Sequence, residues 1–238
     1  MAGENFEIEI GPTRSRAQVT ARRMTVSSPT EAAWTAPSDW CPRPDLWHSE
    51  DTEATEHEVS ELAGAMVRAL QPRIAVETGT YKAQTALAIA RAIAANGHGH
   101  LFTIEADPGL AALAAHELEG LPATVIRADA STWEPEFVSA IGFAWIDSGL
   151  LSTVPGAVAG RPMETARLTE ITRLLPCFAP GAVIGIHDTR PGRGVLESLA
   201  PLFSSGALLP GITLRTPRGV TFAQVPMTHV PVLPDRPS

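Results

Sequence analysis

The chain has only two cysteines, Cys41 and Cys177, in 238 residues. That is too few for a disulfide framework or a zinc site, and it points to a reducing compartment with two unpaired thiols. Positive charge is also scarce. Eighteen Lys and Arg against 26 Asp and Glu leave a formal charge of -8 and a pI near 5.4. A sequence-independent grip on nucleic acid needs a basic face, so nucleic acid is not an expected partner. No apolar run approaches a membrane span. Arg14, Arg16, Arg22 and Arg23 near the start are not followed by the apolar stretch of a signal peptide. A soluble, cytoplasmic protein is therefore expected. The chain also lacks a G-x-G-x-x-G turn, a G-x-S-x-G elbow, a Walker loop and any His/Cys set at zinc spacing.

What is present is enough apolar material, 44% of residues, for one sizeable core. Residues 1–48 read as an extension rich in Trp and Pro, with Trp34, Trp40 and Trp47 close together. Such a cluster suits either a cap over a ligand or a segment docked on the domain or on a partner subunit, and a homodimer through it is one expectation. Residues 49–238 read as the folded domain. Val59, Leu62, Ala63, Met66, Val67 and Leu70 recur at helical spacing up to Pro72. Strands are then expected at Ile74 to Thr78, Leu101 to Glu105, Ala123 to Arg127, Phe143 to Asp147 and, after a turn at Pro180-Gly181, Ala182 to Ile186. Helices are expected over Ala83 to Ala95, from Pro108 to Gly120, over Thr165 to Leu175 and over Val195 to Leu202. A hairpin around Thr216-Pro217-Arg218-Gly219 joins two last strands. This alternation predicts a doubly wound, mostly parallel, seven-stranded Rossmann-like α/β sheet with an antiparallel C-terminal hairpin.

In such a sheet ligands sit outside the carboxyl ends of the strands. The first strand ends Val76-Glu77-Thr78-Gly79-Thr80-Tyr81-Lys82-Ala83-Gln84-Thr85. One glycine two residues after an acid suits a ligand with a cationic amino group better than a diphosphate. The second strand ends in Glu105-Ala106-Asp107-Pro108, which places a carboxylate where it can accept ribose hydroxyls, with Asp107 as the preferred cap of the next helix. The third leads into Asp129-Ala130-Ser131, where Asp129 either takes an adenine amine or caps a helix.

The first two of these strand ends together with Ala144-Trp145-Ile146-Asp147 and Ile186-His187-Asp188-Thr189, four motifs in order, resemble the class I S-adenosylmethionine-dependent methyltransferases, and within them small-molecule O-methyltransferases of the catechol type. The resemblance runs over about 53–225. It implies that Glu77 and Gly79 frame the methionine part of S-adenosylmethionine and that Tyr81 and Thr85 lie beside its sulfonium and carboxylate. It further implies that Glu105 binds the ribose and that Asp129, Ala130 and Ser131 border the adenine. Ala83 stands where that family commonly has a third glycine. Metal-using members carry acids at the fourth and fifth strand ends, so Asp147 and Asp188 are the candidate Mg²⁺ ligands. They also tend to have a basic residue three positions after the first of these acids, where this chain has Leu150. His187 thereby becomes the candidate base, with Asp147 beside it; the plainer role for His187-Asp188 is hydrogen bonding to the loop that follows.

The expected activity is methyl transfer to a small-molecule acceptor, with a hydroxyl as the expected methyl-accepting group. Two alternatives remain open: a cofactor-binding domain without catalysis that serves regulation or assembly, and a nicotinamide-dependent oxidoreductase, which shares the acid after the second strand but not the glycine pattern. The small-residue stretch from Ser148 to Arg161 is read as a flap or as an ordered linker.

Overall fold

The computed structural model describes residues 37–149 and 163–228. Seven strands form one sheet: β1 (Ile74–Thr78), β2 (His100–Glu105), β3 (Ala123–Arg127), β4 (Ile141–Ile146), β5 (Phe178–His187), β6 (Leu209–Leu214) and β7 (Val220–Gln224). Their order is β3-β2-β1-β4-β5-β7-β6. The first five are parallel, and β7 runs antiparallel to both β5 and β6. The order reverses between β1 and β4, which is where an open α/β sheet parts its crossovers and leaves a crevice.

Among the described residues five α-helices cover the two faces: α1 (His57–Leu70), α2 (Gln84–Asn96), α3 (Pro108–Glu117), α4 (Met163–Leu174) and α5 (Val195–Ser204). Alternation along the strands sorts the core into two layers. Ala75, Leu101, Phe143 and Trp145 pack with Val59, Ala63 and Val67 of α1 and with Ile89 and Ile93 of α2. Val76, Ile104, Ala144 and Ile146 pack with Ile171 and Leu174 of α4 and with Val195 and Leu199 of α5. The acids at the carboxyl ends of these strands mark the rim of the sheet, where Glu77, Glu105 and Asp188 are themselves buried.

Most expected elements lie within a few residues of where their patterns put them, and β1 and β3 have the expected bounds. The fifth strand is a correction. Pro180-Gly181 does not form a turn before it but lies inside β5, at a bulge where Ile141 pairs with Phe178 and Phe143 with Val183. Pro180 has no N–H to donate and Gly181 takes a φ of 78°, so the extra residues are extruded there and the strand resumes.

The extension is described from Pro37 onward, and Trp34 lies outside the described residues. Trp40 donates its indole N–H to the Thr216 carbonyl (2.9 Å), Cys41 is buried, and Trp47 packs on the α1/α2 layer. These two tryptophans thus dock on their own domain. Leu150 and nearly all of the segment expected as a flap fall outside the described residues.

Candidate functional site

The ends of β1 to β5 open onto a cleft of about 590 Å³. Gly79, Tyr81, Glu105, Asp129, Ala130, Ser131, Asp147 and Asp188 all line it. Glu77 and Thr85 instead border a small recess of about 40 Å³ that shares Gly79, Tyr81 and Asp147 with the cleft. His187 borders neither and is completely buried.

The turn after β1 is held in a shape few residues tolerate. Gly79 has a φ of 79°, and a Cβ there would stand 2.5 Å from the Asp147 carbonyl oxygen. It is therefore required both by the turn and by the neighbouring end of β4. Tyr81 (φ 49°) and Ala83 (φ 65°) are also left-handed, as is Asp188 (φ 61°) at the end of β5. Ala83 caps α2 in a left-handed conformation that costs an L-residue about 1–2 kcal/mol.

Glu105 is aimed by two backbone amides, with Oε2 accepting from Tyr81 (2.8 Å) and Oε1 from Asp107 (2.8 Å). Asp107 caps α3 as expected, its Oδ1 accepting from Gly109 and Leu110. Asp129 Oδ1 takes both the N–H and the hydroxyl of Ser131 (2.8 and 2.7 Å), which orients this turn against the cleft. Thr85 turns its hydroxyl to Ser60 of α1 (2.9 Å). Glu77 is buried and accepts a hydrogen bond from Thr103 (2.5 Å). Burial pushes its carboxyl up to about 8 against that hydrogen bond, with help from the charges of Asp147 and Glu105. An acid of this kind invites a cationic ligand group.

The ends of β4 and β5 are built differently. His187 Nδ1 lies 3.0 Å from Asp147 Oδ1 and Nε2 lies 2.7 Å from Glu56 Oε2. Burial alone would lower the imidazole, but the two carboxylates raise it to about 9, so the ring is a cation that donates on both sides. Burial works upward on Asp147, yet His187, Arg167 and Arg218 hold it well below the usual carboxylate range. Burial also works upward on Asp188, where the Arg218 hydrogen bond and then the charges of His187 and Arg167 lower it. Thr55 donates to Asp147 Oδ2 (2.6 Å).

Five groups at this end of the sheet were not among the candidate site residues: Thr55, Glu56, Arg167, Glu170 and Arg218, the last named only for its hairpin turn. Glu170 accepts from Thr78 (2.9 Å) and Ser148 (2.5 Å) between the ends of β1 and β4. A signal for two of them was available, because Arg167 and Glu170 share the α4 face of Ile171 and Leu174, and charges on an apolar stripe must meet partners. Arg218 sits in the hairpin turn, where loop composition hides it. Asp147, His187 and Asp188 lie close enough to present ligand atoms within 4.8 Å of one another. As a Mg²⁺ site they fit poorly: one donor is a cationic imidazole, and both carboxylates already hold guanidinium groups.

Residues 76–189 match the family model of a methyltransferase domain. Among curated proteins, none matches the sequence. Among solved structures, the chain is similar to the O-methyltransferase TomG of Streptomyces achromogenes, in complex with SAM, at 20% identity over 73% of this chain and 82% of that one, with a TM-score of 0.54. A putative O-methyltransferase from Klebsiella pneumoniae aligns at 18% identity over 74% and 83%, with a TM-score of 0.56. An O-methyltransferase from Bacillus cereus in complex with SAH aligns at 14% identity over 73% and 83%, with a TM-score of 0.51. At these identities the structural likeness speaks for the fold, and the matched span speaks for the domain. Its strand order and the cleft at the carboxyl ends of β1 to β5 are those of the Rossmann-like methyltransferase fold, and residues 76–189 are similar to a methyltransferase domain.

Proposed function

We propose that the protein transfers a methyl group from S-adenosylmethionine to a hydroxyl of a small-molecule acceptor. The observation that carries this reading is the single cleft into which Gly79, Tyr81, Glu105, Asp129, Ala130, Ser131 and Asp147 converge from the ends of four consecutive parallel strands. Glu105, already aligned by two amides, has the remaining acceptor capacity for two ribose hydroxyls. Asp129 to Ser131 border the adenine. Glu77, with Gly79, Tyr81 and Thr85 around the recess, faces the aminoacyl part, whose ammonium suits a buried acid without a cationic partner. When bound, S-adenosylmethionine supplies an electrophilic methyl group on its sulfonium. The chain then has to align the acceptor and exclude water, and Asp147, which reaches both the recess and the cleft, stands where the two meet.

His187 is better suited to orient Asp147 than to take a proton, since both of its nitrogens already donate. Magnesium does not suit Asp147 and Asp188, whose charges Arg167, Arg218 and His187 already balance. No described helix is long and apolar enough to cross a membrane. Two buried free thiols suit a reducing compartment, and we place the protein in the cytoplasm on that ground. A small-molecule acceptor is the proposed partner. Trp40 and Trp47 are held against their own domain but only half-buried, which leaves their outer faces for the proposed homodimer.

The test is a thermal melt with S-adenosylhomocysteine, NAD and NADP. Stabilisation by the first alone supports the reading, because a ligand that binds only the native state must stabilise it. Stabilisation by NAD instead overturns it.

A further inference from the structure

The acids at the ends of β4 and β5 carry their own cations. Arg167 Nη2 lies 3.2 Å from Asp147 Oδ1 and 3.1 Å from Asp188 Oδ2, so a single guanidinium nitrogen bridges the two carboxylates. Arg218 grips Asp188 with a two-toothed fork, Nε to Oδ1 at 2.8 Å and Nη2 to Oδ2 at 2.7 Å. Each of the four carboxylate oxygens is engaged: Asp147 Oδ2 by Thr55, the other three by guanidinium or imidazole N–H groups. Arg167 is wholly buried, and its Nη1 is tied to the Ile146 carbonyl (2.5 Å). Arg218 is tied to the carbonyls of Glu53 (2.7 Å) and Ala54 (3.2 Å). Neither can swing away without leaving backbone acceptors unpaired and a buried carboxylate with one cation fewer.

We propose that Arg167 and Arg218 take the place of the divalent cation expected between these strand-end acids, so that the acceptor end of the cleft works without a metal. Two like charges at neighbouring strand ends need a cation between them, and a guanidinium supplies one that neither deprotonates nor dissociates. A dication entering this volume would meet two fixed positive groups and the His187 ring at contact distance, in a place where repulsion is little screened. It would also find every carboxylate oxygen already holding an N–H or O–H donor, although it wants several oxygen ligands and keeps its waters. Arg218 gives what a metal would not: it also fastens the 53–56 segment, from which Thr55 and Glu56 reach Asp147 and His187. The proposal concerns the charge network and stands whatever the acceptor is.

Mn²⁺ is the probe, a hard dication that prefers oxygen ligands and is visible by EPR. With the full chain, with and without S-adenosylhomocysteine, the wild-type titration is expected to show only free Mn²⁺, and neither millimolar Mn²⁺ nor EDTA is expected to move the melting temperature. Arg218→Gln is expected to melt several degrees lower, to bind one Mn²⁺ per chain and to recover part of its melting temperature with it, a gain that Asp188→Asn in the same background removes. Stoichiometric Mn²⁺ on the wild type that disappears in Asp147→Asn overturns the proposal, and so does a folded Arg218→Gln that binds none. If Arg218→Gln does not fold, the wild-type titration decides by itself. Stabilisation by S-adenosylhomocysteine is read in the same melts, so a failure of the methyltransferase reading is seen separately.

Discussion

The two ends of the cleft use acids in opposite ways. At the ends of β2 and β3, Glu105, Asp107 and Asp129 are held by backbone N–H groups and, at Asp129, by a serine hydroxyl. At the ends of β4 and β5, Asp147 and Asp188 are held by Arg167, Arg218 and His187. Amides orient a carboxylate without neutralising it, which leaves charge and lone pairs for a ligand. Guanidinium groups neutralise it and occupy most of its lone pairs, which leaves structure. Residue type and strand position alone do not tell these cases apart, since both are an Asp or Glu at a strand end; the donor decides.

The contrast is broken most severely at the neutralised end. Arg167→Met leaves two buried carboxylates sharing one arginine fewer, and breaking such a pair from one side costs about 3–5 kcal/mol. Urea unfolding of this variant is expected to show a loss of that size, and a loss below about 1 kcal/mol would mean that the network is exposed to solvent and worth no more than a surface pair.

Proton linkage comes next in size. Glu77 is raised from 4.5 to about 8 and His187 from 6.5 to about 9. A raised folded value means that the native state keeps a proton which the unfolded chain has given up. The contribution of Glu77 is therefore whole below pH 4.5 and lost as pH passes 8, and that of His187 is whole below 6.5 and lost past 9. Both slopes act together from pH 6.5 to 8, each at up to about 1.4 kcal/mol per pH unit. Melting temperature is expected to fall across that window without ligand, and Glu77→Gln is expected to flatten the part below pH 8. A melting temperature that rises over the window would contradict both assignments.

At the amide-held end the loss should appear in binding. Glu105→Ala is expected to weaken S-adenosylhomocysteine by about 1.5–3 kcal/mol, the range for hydrogen bonds to a charged group, which is roughly 10- to 150-fold in affinity. Calorimetric titration of the folded variant measures this. Unchanged affinity removes Glu105 from the ribose.

The smallest effect concerns neither end but the turn between them. Ala83→Gly relieves a left-handed alanine but adds freedom to the unfolded chain, so a net gain of at most about 1 kcal/mol is expected in urea unfolding. A clear loss would show that the alanine methyl, fully buried here, is worth more as packing than the strain it brings.

The parts of this molecule that were legible in its sequence are those written locally. The bounds of β1 and β3, the Asp107 cap of α3 and the hairpin turn follow from apolar runs, Pro and Gly within a few residues of each other. The strand-end acids were legible for the same reason. What pairs with them was not, because Arg167 lies 20 residues from Asp147 and Arg218 lies 162 from Glu56, and no periodicity links such positions. The β5 bulge was misread because Pro-Gly is a turn signal in isolation, and only the pairing with β4 and β7 shows that the strand continues through it.

The fastening of the 53–56 segment by Arg218 also sets an order of assembly. The Arg218 N–H reaches Glu56 (3.1 Å) and its guanidinium reaches the Glu53 and Ala54 carbonyls, so the roof of the cleft is closed by one of the last hairpins to be made. During synthesis β1 to β5 can pair and α1 to α4 can pack while that arginine is still inside the ribosome. Through that interval Glu56, Asp147 and Asp188 have one permanent counter-charge, Arg167, instead of two. The five parallel strands thus come before the site, and a chain truncated ahead of residue 218 is expected to lose both the fastening of 53–56 and β7, whose Val220, Phe222 and Ala223 are buried in the core.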